Sequence, residues 1–514
     1  MPTSVMVLYY EKFTVRHSMR KPQMNSGQPG CASPITWTSW SSINWMKAER
    51  AVKSLQARIV KAVKAKHFHK AKALVHLLTR SFYGKLLAVL RVTTNKGSRT
   101  YGVDKVLWDT PMRKWKGIEQ LNVKGYKARP LKRKSIPKKN GKFRHLGIPT
   151  IRDRAIQALY KLALEPIAET IADPNSYGFR PKRSCADAIR QCHNVLCQRK
   201  SAVWVLEADI KGCFDNISHQ WILQHIPLNK KVLTQWLKAG YMEKKHWFPT
   251  EAGTPQGGII SPVIANMVLD GLEKVINLHA HHRSNSNPFK VNFVRYADDF
   301  VVTSGSSEYL EQEIKPLISK FLADRGLELS AEKTMITHIQ QGFDFLGFNV
   351  RKYKHKCLTK PKKDSVKSIY ASISESVNNH KTVTQNELIR MVSPKIKGWA
   401  NFFRHSCAKQ TFSRLDNKVF KLLWKWAKRK HPNKGKHWIK AKYFKSKGNR
   451  QWVFSTTDKK KTRELPLFET TRIIRHTKIK GLSNPYDKDW YDYFKERAKS
   501  KLKKFKVSKV ATVN

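Results

Sequence analysis

An α+β chain is what this sequence predicts, on three observations. Between residues 203 and 350, short β-prone apolar runs alternate with stretches whose apolar residues recur every three or four positions, the period of an amphipathic helix. Two of the strand-like runs deliver carboxylates at their ends, Asp209 in one and Asp298-Asp299 in the other. Before residue 110 and after residue 351, helical periodicity dominates.

A length of 514 residues suggests about three domains, each able to bury its own core. Lys+Arg 100 against Asp+Glu 37 gives a net charge of +63, and a field that large calls for a polyanionic partner. Nucleic acid is favoured over a membrane surface. No run approaches the roughly 18 apolar residues of a span, and the cations lie throughout rather than on one amphipathic helix. The seven cysteines form no Cys-x-x-Cys pair. Cys192-His193 with Cys197 is the nearest approach to a ligand cluster, and a helix with buried cysteines explains it better. With no signal-peptide pattern, the expectation is a cytoplasmic protein, nucleoid-associated when bound to DNA.

Residues 1–41 are rich in Ser, Thr, Pro and Gly and read as a loose arm. From about Ser42 a helix carries Val52, Leu55, Ile59 and Val63 on one face, and a second carries Leu74, Leu78, Phe82 and Leu86. These make a helical N-terminal extension over 42–110, its basic outer face suited to packing or to a template backbone. Two short strands around Asn140-Gly141 then read as a hairpin bearing Lys132, Lys138, Lys142 and Arg144. Such cations suit a triphosphate clamp or a nucleic-acid backbone equally. A helix follows from Arg152 to about Ile171, and another around Ala186–Leu196.

The apolar strand from Val203 ends on Asp209, a turn follows at Gly212, and Phe214 lies five residues past the acid. Adjacent carboxylates in the turn Tyr296-Ala-Asp-Asp299 are costly unless a cation sits between them, although Asp-Asp turns also occur as plain surface features. Three carboxylates brought together would suit two Mg2+ ions whose other ligands are water and phosphate. Asp215 with Asn216 reads as a cap for the next turn or helix. The glycine-rich stretch from Gly253 to Leu269 opens a helix and lacks the lysine of a phosphate loop. Its glycines allow close approach to a base pair or sugar, with Gln256 available for a polar contact. Glu308–Gly326 reads as a helix, Leu327–Ile336 as strand, turn and strand around Lys333, and Phe343–Val350 as a hairpin.

Beyond 351 the chain holds 45 Lys+Arg against 11 Asp+Glu, a net +34. Leu388–Ala400 and Phe412–Arg429 read as helices, the first kinked or interrupted at Pro394. Trp399, Phe402, Phe403, Trp424, Trp438, Tyr443 and Trp452 interleave with cations, most of them core and a minority free for RNA.

Together these residues resemble a known family. Ile136-Pro-Lys, Arg144, Gly-Ile-Pro-Thr150, Tyr177-Gly-Phe-Arg180, Ala208-Asp-Ile-Lys, Phe214, Thr254-Pro-Gln-Gly-Gly, Ser261-Pro and Tyr296-Ala-Asp-Asp299 stand in the order found in reverse transcriptases. The chain is similar, from about 42 to 500, to group II intron-encoded proteins, which are reverse transcriptases with maturase activity. The resemblance implies a right-hand polymerase, with fingers and palm over 111–350 and a thumb-like maturase domain over 351–455 that carries Ser393-Pro-Lys-Ile-Lys-Gly-Trp399. A basic DNA-binding tail would occupy 456–514.

It further implies Asp209, Asp298, Asp299 and the Ile210 carbonyl as ligands of two Mg2+, and Lys132, Lys138 and Arg144 as the triphosphate clamp. Phe214 would exclude a 2′-OH, Gln256 face the base pair and Lys333 protonate the leaving pyrophosphate. His145 departs from the proline usual there. No cysteine follows Cys407, so the paired cysteines of an H-N-H endonuclease are not expected, and a DNA primer would come from elsewhere, such as a nascent strand at a replication fork. The implied partners are group II intron RNA, an RNA template with its DNA primer, target DNA and deoxynucleoside triphosphates, with a homodimer admitted but not required. A non-catalytic RNA-binding splicing factor that retains a polymerase fold, and a reverse transcriptase of another element, are the alternatives.

Overall fold

The computed structural model describes residues 40–510 except 138–140, 142, 281–286, 355 and 459–460. Of the expected N-terminal arm, residues 1–39 lie outside the described residues, as do Lys138 and Lys142, and the arm's last two residues belong to a 3-10 turn, Trp40–Ser42.

Asn44 accepts a hydrogen bond from the Lys47 N–H and so starts a helix over Trp45–Lys64, burying Val52, Ile59 and Val63. The expected second helix is two, Phe68–Arg80 and Phe82–Thr94. Ser81, at ψ 139, breaks the first and caps the second through the Gly84 N–H, which leaves Phe82 38% exposed rather than inward. These helices pack on Ile151–Ile171, whose Ile156, Leu159 and Ile167 are buried. Among the described residues no single helix is long and apolar enough to cross a membrane.

Strands β1 (Leu131–Pro137) and β2 (Phe143–Ile148) form the expected hairpin. They join β4 (Tyr241–Glu243) and β5 (His246–Phe248) in a four-stranded sheet of order β2-β1-β4-β5, with β1 and β4 parallel. The Asn140-Gly141 turn lies mostly outside the described residues; Gly141 itself has φ 77.

The central sheet has the order β6-β7-β3-β8, from β3 (Trp204–Asp209), β6 (Asn292–Tyr296), β7 (Asp299–Ser304) and β8 (Met335–His338). All its pairings are antiparallel. Side chains alternate between its faces. Leu206, Ala208, Phe293, Phe300 and Val302 enter one core, shared with the N-terminal helices. Val205, Val294 and Val301 enter a second, shared with the C-terminal third.

That C-terminal third holds more strand than its composition announces. Strands β9 (Phe343–Phe345), β10 (Phe348–Tyr353) and β11 (Lys356–Pro361) form one sheet, and β12 (Phe444–Lys447), β13 (Arg450–Asp458) and β14 (Lys461–Glu464) another. Helix Gln385–Phe403 packs on β13 and β14 and, through Phe402 and Phe403, on Phe348 of β10, and Lys363–Asn379 packs on it and on Lys409–Lys430. Pro394 does not interrupt the second of these. It stands on the solvent side with Arg390, whose carbonyl loses its helical partner where water can replace it. The lysine-rich helix expected at the end is present at Tyr491–Val510.

Candidate active site

Strand β3 lies beside β7 in the register Asp209↔Asp299, so the two carboxylates stand directly opposite each other on one face. Asp298 occupies the tight turn between the Tyr296↔Asp299 pair. The two strand-like runs that deliver the acids in the sequence are cross-strand neighbours in the fold. They point to the face shared with the C-terminal third, because Val301 and Val205, two and four residues away on their strands, belong to that core.

Burial, together with the neighbouring Asp209 and Asp298 carboxylates, pushes Asp299 up to about 7. Burial also raises Asp298, an effect that the Lys333 ammonium and the Arg144 guanidinium oppose. Lys333, in a 3-10 turn over Ala331–Lys333, makes an ion pair with the Asp209 carboxylate that holds the lysine above its usual range. Three acids sharing one lysine leave the site short of positive charge.

The donor set is oxygen alone, which suits a hard divalent cation. Among the described residues, however, no three His, Cys, Asp or Glu side chains are already arranged as a ligand sphere. Lys333 holds Asp209 in a contact that a cation would have to replace. The backbone adds a fourth oxygen. Ile210 bridges Leu329 through the flanking bonds Ser330 N–H to Asp209 C=O (2.8 Å) and Lys211 N–H to Glu328 C=O (3.0 Å). That pattern directs the N–H and C=O of Ile210 to the other edge, where β7 and the acidic turn lie.

The remaining expected residues lie on the hairpin, on the short helix Cys213–Asn216 and in the glycine-rich loop. Lys132 and Arg144 project from the same face of the hairpin, through the pairs Lys132↔Ile148 and Ile136↔Arg144, with the Lys132 Nζ 4.0 Å from the centre of the Tyr101 ring. His145 hydrogen-bonds Ser135 across the hairpin at 2.9 Å, so the departure at that position is accommodated within the hairpin. Phe214 is half-buried, edge-on to Phe179 at 6.1 Å. Gln256 spends its amide on Asp215, Nε2 donating to both carboxylate oxygens at 3.0 and 2.9 Å. The Gln256 carbonyl accepts from the Gly147 N–H at 2.8 Å. The glycine-rich loop thus ties the hairpin to the Phe214 turn, and Gly257, at φ 128 against the Gly147 carbonyl, has no room for a side chain. Asp215 is therefore an anchor and not a cap; Ser218 caps the following helix, His219–His225. Cys192 is buried in the core, and among the described residues no ligand cluster forms around it.

A buried network beneath the turn escaped the sequence reading. Arg295 is 0% exposed and pairs with Asp270, while also donating to Asn266 (3.3 Å) and to the Ala297 carbonyl (3.4 Å). Ala297, at φ 60, holds the turn in a left-handed conformation that costs a non-glycine residue energy. Gly178 packs on it so closely that a Cβ there would stand 2.8 Å from the Tyr296 carbonyl carbon. Arg180 with Glu169, and Asp173 accepting from the Gly271 N–H, complete the support. One signal was available: an arginine within the otherwise apolar strand Phe293–Tyr296 has to find a buried acid.

Three family models match the chain. "Reverse transcriptase (RNA-dependent DNA polymerase)" covers residues 136–350, "N-terminal domain of reverse transcriptase" covers 40–121, and "Group II intron, maturase-specific domain" covers 366–444. Protein YkfC of Escherichia coli (strain K12) is 31% identical over 316 residues, 53% of this chain and 81% of that protein. The chain belongs to the group II intron reverse transcriptase and maturase family. Group II intron-encoded protein LtrA of Lactococcus lactis subsp. cremoris is 33% identical over 328 residues, 52% of this chain. The match spans about half (54%) of that relative's length. Among solved structures, telomerase from Candida albicans in complex with a fragment of telomeric RNA superposes loosely, at a TM-score of 0.35 and 15% identity over 62% of this chain and 63% of that one. We call the central sheet, its acidic turn and the helices packed on them the palm; the maturase-specific model spans helices Gln385–Phe403 and Lys409–Lys430.

Proposed function

We propose that this chain is an RNA-directed DNA polymerase that also binds a group II intron RNA to assist its splicing and supports intron mobility by reverse transcription at a DNA target. The observation that carries the reading is the opposition of Asp209 and Asp299 across paired strands, with Asp298 in the adjoining turn. Two Mg2+ held by Asp209, Asp298, Asp299 and the Ile210 carbonyl would supply the Lewis acidity that activates a primer 3′-OH and neutralises a triphosphate.

The chain's own residues do the rest. Lys132 and Arg144 bind the triphosphate of an incoming deoxynucleotide and align its α-phosphorus with the 3′-oxygen, which forms the new bond as pyrophosphate departs. Phe214, held by Phe179, fills the space a ribose 2′-OH would need. Lys333 releases Asp209 and turns its ammonium to the leaving pyrophosphate. Gln256 acts through the loop, keeping the hairpin and Phe214 in register. Intron RNA binds the cationic surface of the C-terminal third without chemistry of its own.

Asp298→Ala should abolish Mg2+-dependent extension of a DNA primer on an RNA template while leaving intron RNA binding and the stimulation of splicing at low Mg2+ nearly unchanged. Wild-type-like extension by that variant would refute the polymerase assignment, and loss of splicing stimulation would refute the separation of the two activities.

A further inference from the structure

On the face of the palm to which Asp209 and Asp299 point, a cavity of about 730 Å³ opens between parts of the chain remote in sequence. Tyr296, next to the acidic turn, forms one wall, and Phe348 with Phe402 a second. The segment from Ile474 to Ser500 forms the third.

The lining charge is one-sided. Arg183, Arg475, Lys478, Lys480 and Arg497 face a single acid, Glu496. Most of these cations build the walls. Arg183 donates to the Pro174 and Gly481 carbonyls, Lys478 to Gln191, and Arg497 to Asp187, while Lys480 lies over the Trp490 and Tyr493 rings. Arg475 is different: it is exposed and has no acidic partner among the described residues. Phe402 is 47% exposed, its ring stacked on Phe348 at 5.4 Å, and Tyr493 is half-buried beside them.

A solvent-facing ring and an uncommitted guanidinium lining one cavity make the pairing that receives an unstacked nucleotide, base on ring and phosphate on cation. Volume separates a strand from a duplex. The cavity lies within the range of about 300–1,000 Å³ that takes a small ligand, and a base-paired double helix cannot enter it.

We infer that this cavity holds one unpaired nucleotide of a single strand, its base against Phe402 and Tyr493 and its phosphate on Arg475, close to the acidic turn. The inference rests on the polymerase reading for nucleic acid as the partner, not for its chemistry.

The test is fluorescence anisotropy of the full chain, without metal or triphosphate, against short labelled single strands of DNA and of RNA and against the blunt DNA duplex of the same sequence. Phe402→Ala and Arg475→Ala should each weaken single-strand binding roughly five- to a hundred-fold and leave duplex binding unchanged. Phe402→Trp, which restores a stacking face, should bind as the wild type does. Removing the exposed Arg475 side chain disturbs no packing, so that variant keeps the test clear of misfolding. Weakening confined to DNA or to RNA supports the inference and names the strand. Wild-type affinity of both alanine variants for both strands overturns it, and so does an equal loss on the duplex. Because binding alone is read, either failure leaves primer extension by the wild type as a separate question.

Discussion

The palm and the C-terminal third spend charge in opposite ways. In the palm, arginines are buried and matched: Arg295 with Asp270, Arg180 with Glu169. Their charges do not face a ligand; they fix the strained turn that carries Asp298. In the C-terminal third, which holds 45 Lys+Arg against 11 Asp+Glu, cations lie over half-exposed rings, Lys442 over Trp438 at 4.7 Å and Lys440 over Trp452 at 4.8 Å. The difference separates positioning from binding. A charge that has been desolvated and paired can hold geometry, and a charge left in solvent can meet a polyanion.

The largest effect that would break this contrast lies in the palm. Arg295→Met strands Asp270 in a site where burial already pushes its carboxyl up, so unfolding in denaturant should show a loss of about 3–5 kcal/mol. A loss below 1 kcal/mol would mean the buried pair positions nothing.

A second effect sits between the two regions. Asp187 in the palm helix Cys185–Leu196 accepts from Ser184, His476, Arg497 and the Ile479 N–H, and so clasps the basic tail. Burial opposes the charge, yet these donors hold Asp187 down to about 2. A depressed acid stabilises the fold above its unfolded value of 3.8 and loses that contribution as pH falls through about 2. Asp187→Asn should therefore cost about 1–3 kcal/mol near neutral pH and expose the segment after Leu465 to proteolysis, with the gap to wild type closing between about pH 4 and pH 2.

The smallest effects on stability belong to the C-terminal third. Lys440→Ala and Lys442→Ala should change stability by no more than about 0.5 kcal/mol. Each that contacts a phosphate should nevertheless flatten the salt dependence of intron RNA affinity by about one unit of log–log slope.

The same contrast explains what the sequence disclosed. Local periodicity exposed the amphipathic helices: Leu415, Val419, Leu422, Leu423 and Trp426 are all buried along Lys409–Lys430. The acids were found because carboxylates at strand ends are unusual and because the surrounding motifs resemble a family. Their register was not legible, since Asp209 and Asp299 meet through a pairing between strands some ninety residues apart in sequence. Nor was the partner of Gln256: Asp215 is forty-one residues away, and only the folded loop joins them. Strands β12 and β14 were missed because their lysine- and arginine-bearing sequences carry little β-propensity, while β13, with Trp452-Val453-Phe454 and two threonines, has a strand's composition and was passed over in a region read for its charge. The docking of the tail was hidden for a different reason: its net charge advertised an external partner, while Asp187 had already claimed His476 and Arg497.

The central claim is that Asp209, Asp298 and Asp299 form one cation site across β3 and β7. Titrating Mn2+ into the full chain, with free Mn2+ read by electron paramagnetic resonance, measures that without catalysis. Wild type should bind Mn2+ at a site that Asp209→Asn and Asp299→Asn each remove or greatly weaken, and Lys333→Ala, which frees Asp209, should bind at least as tightly as wild type. Undiminished Mn2+ binding in both carboxamide variants would contradict the account.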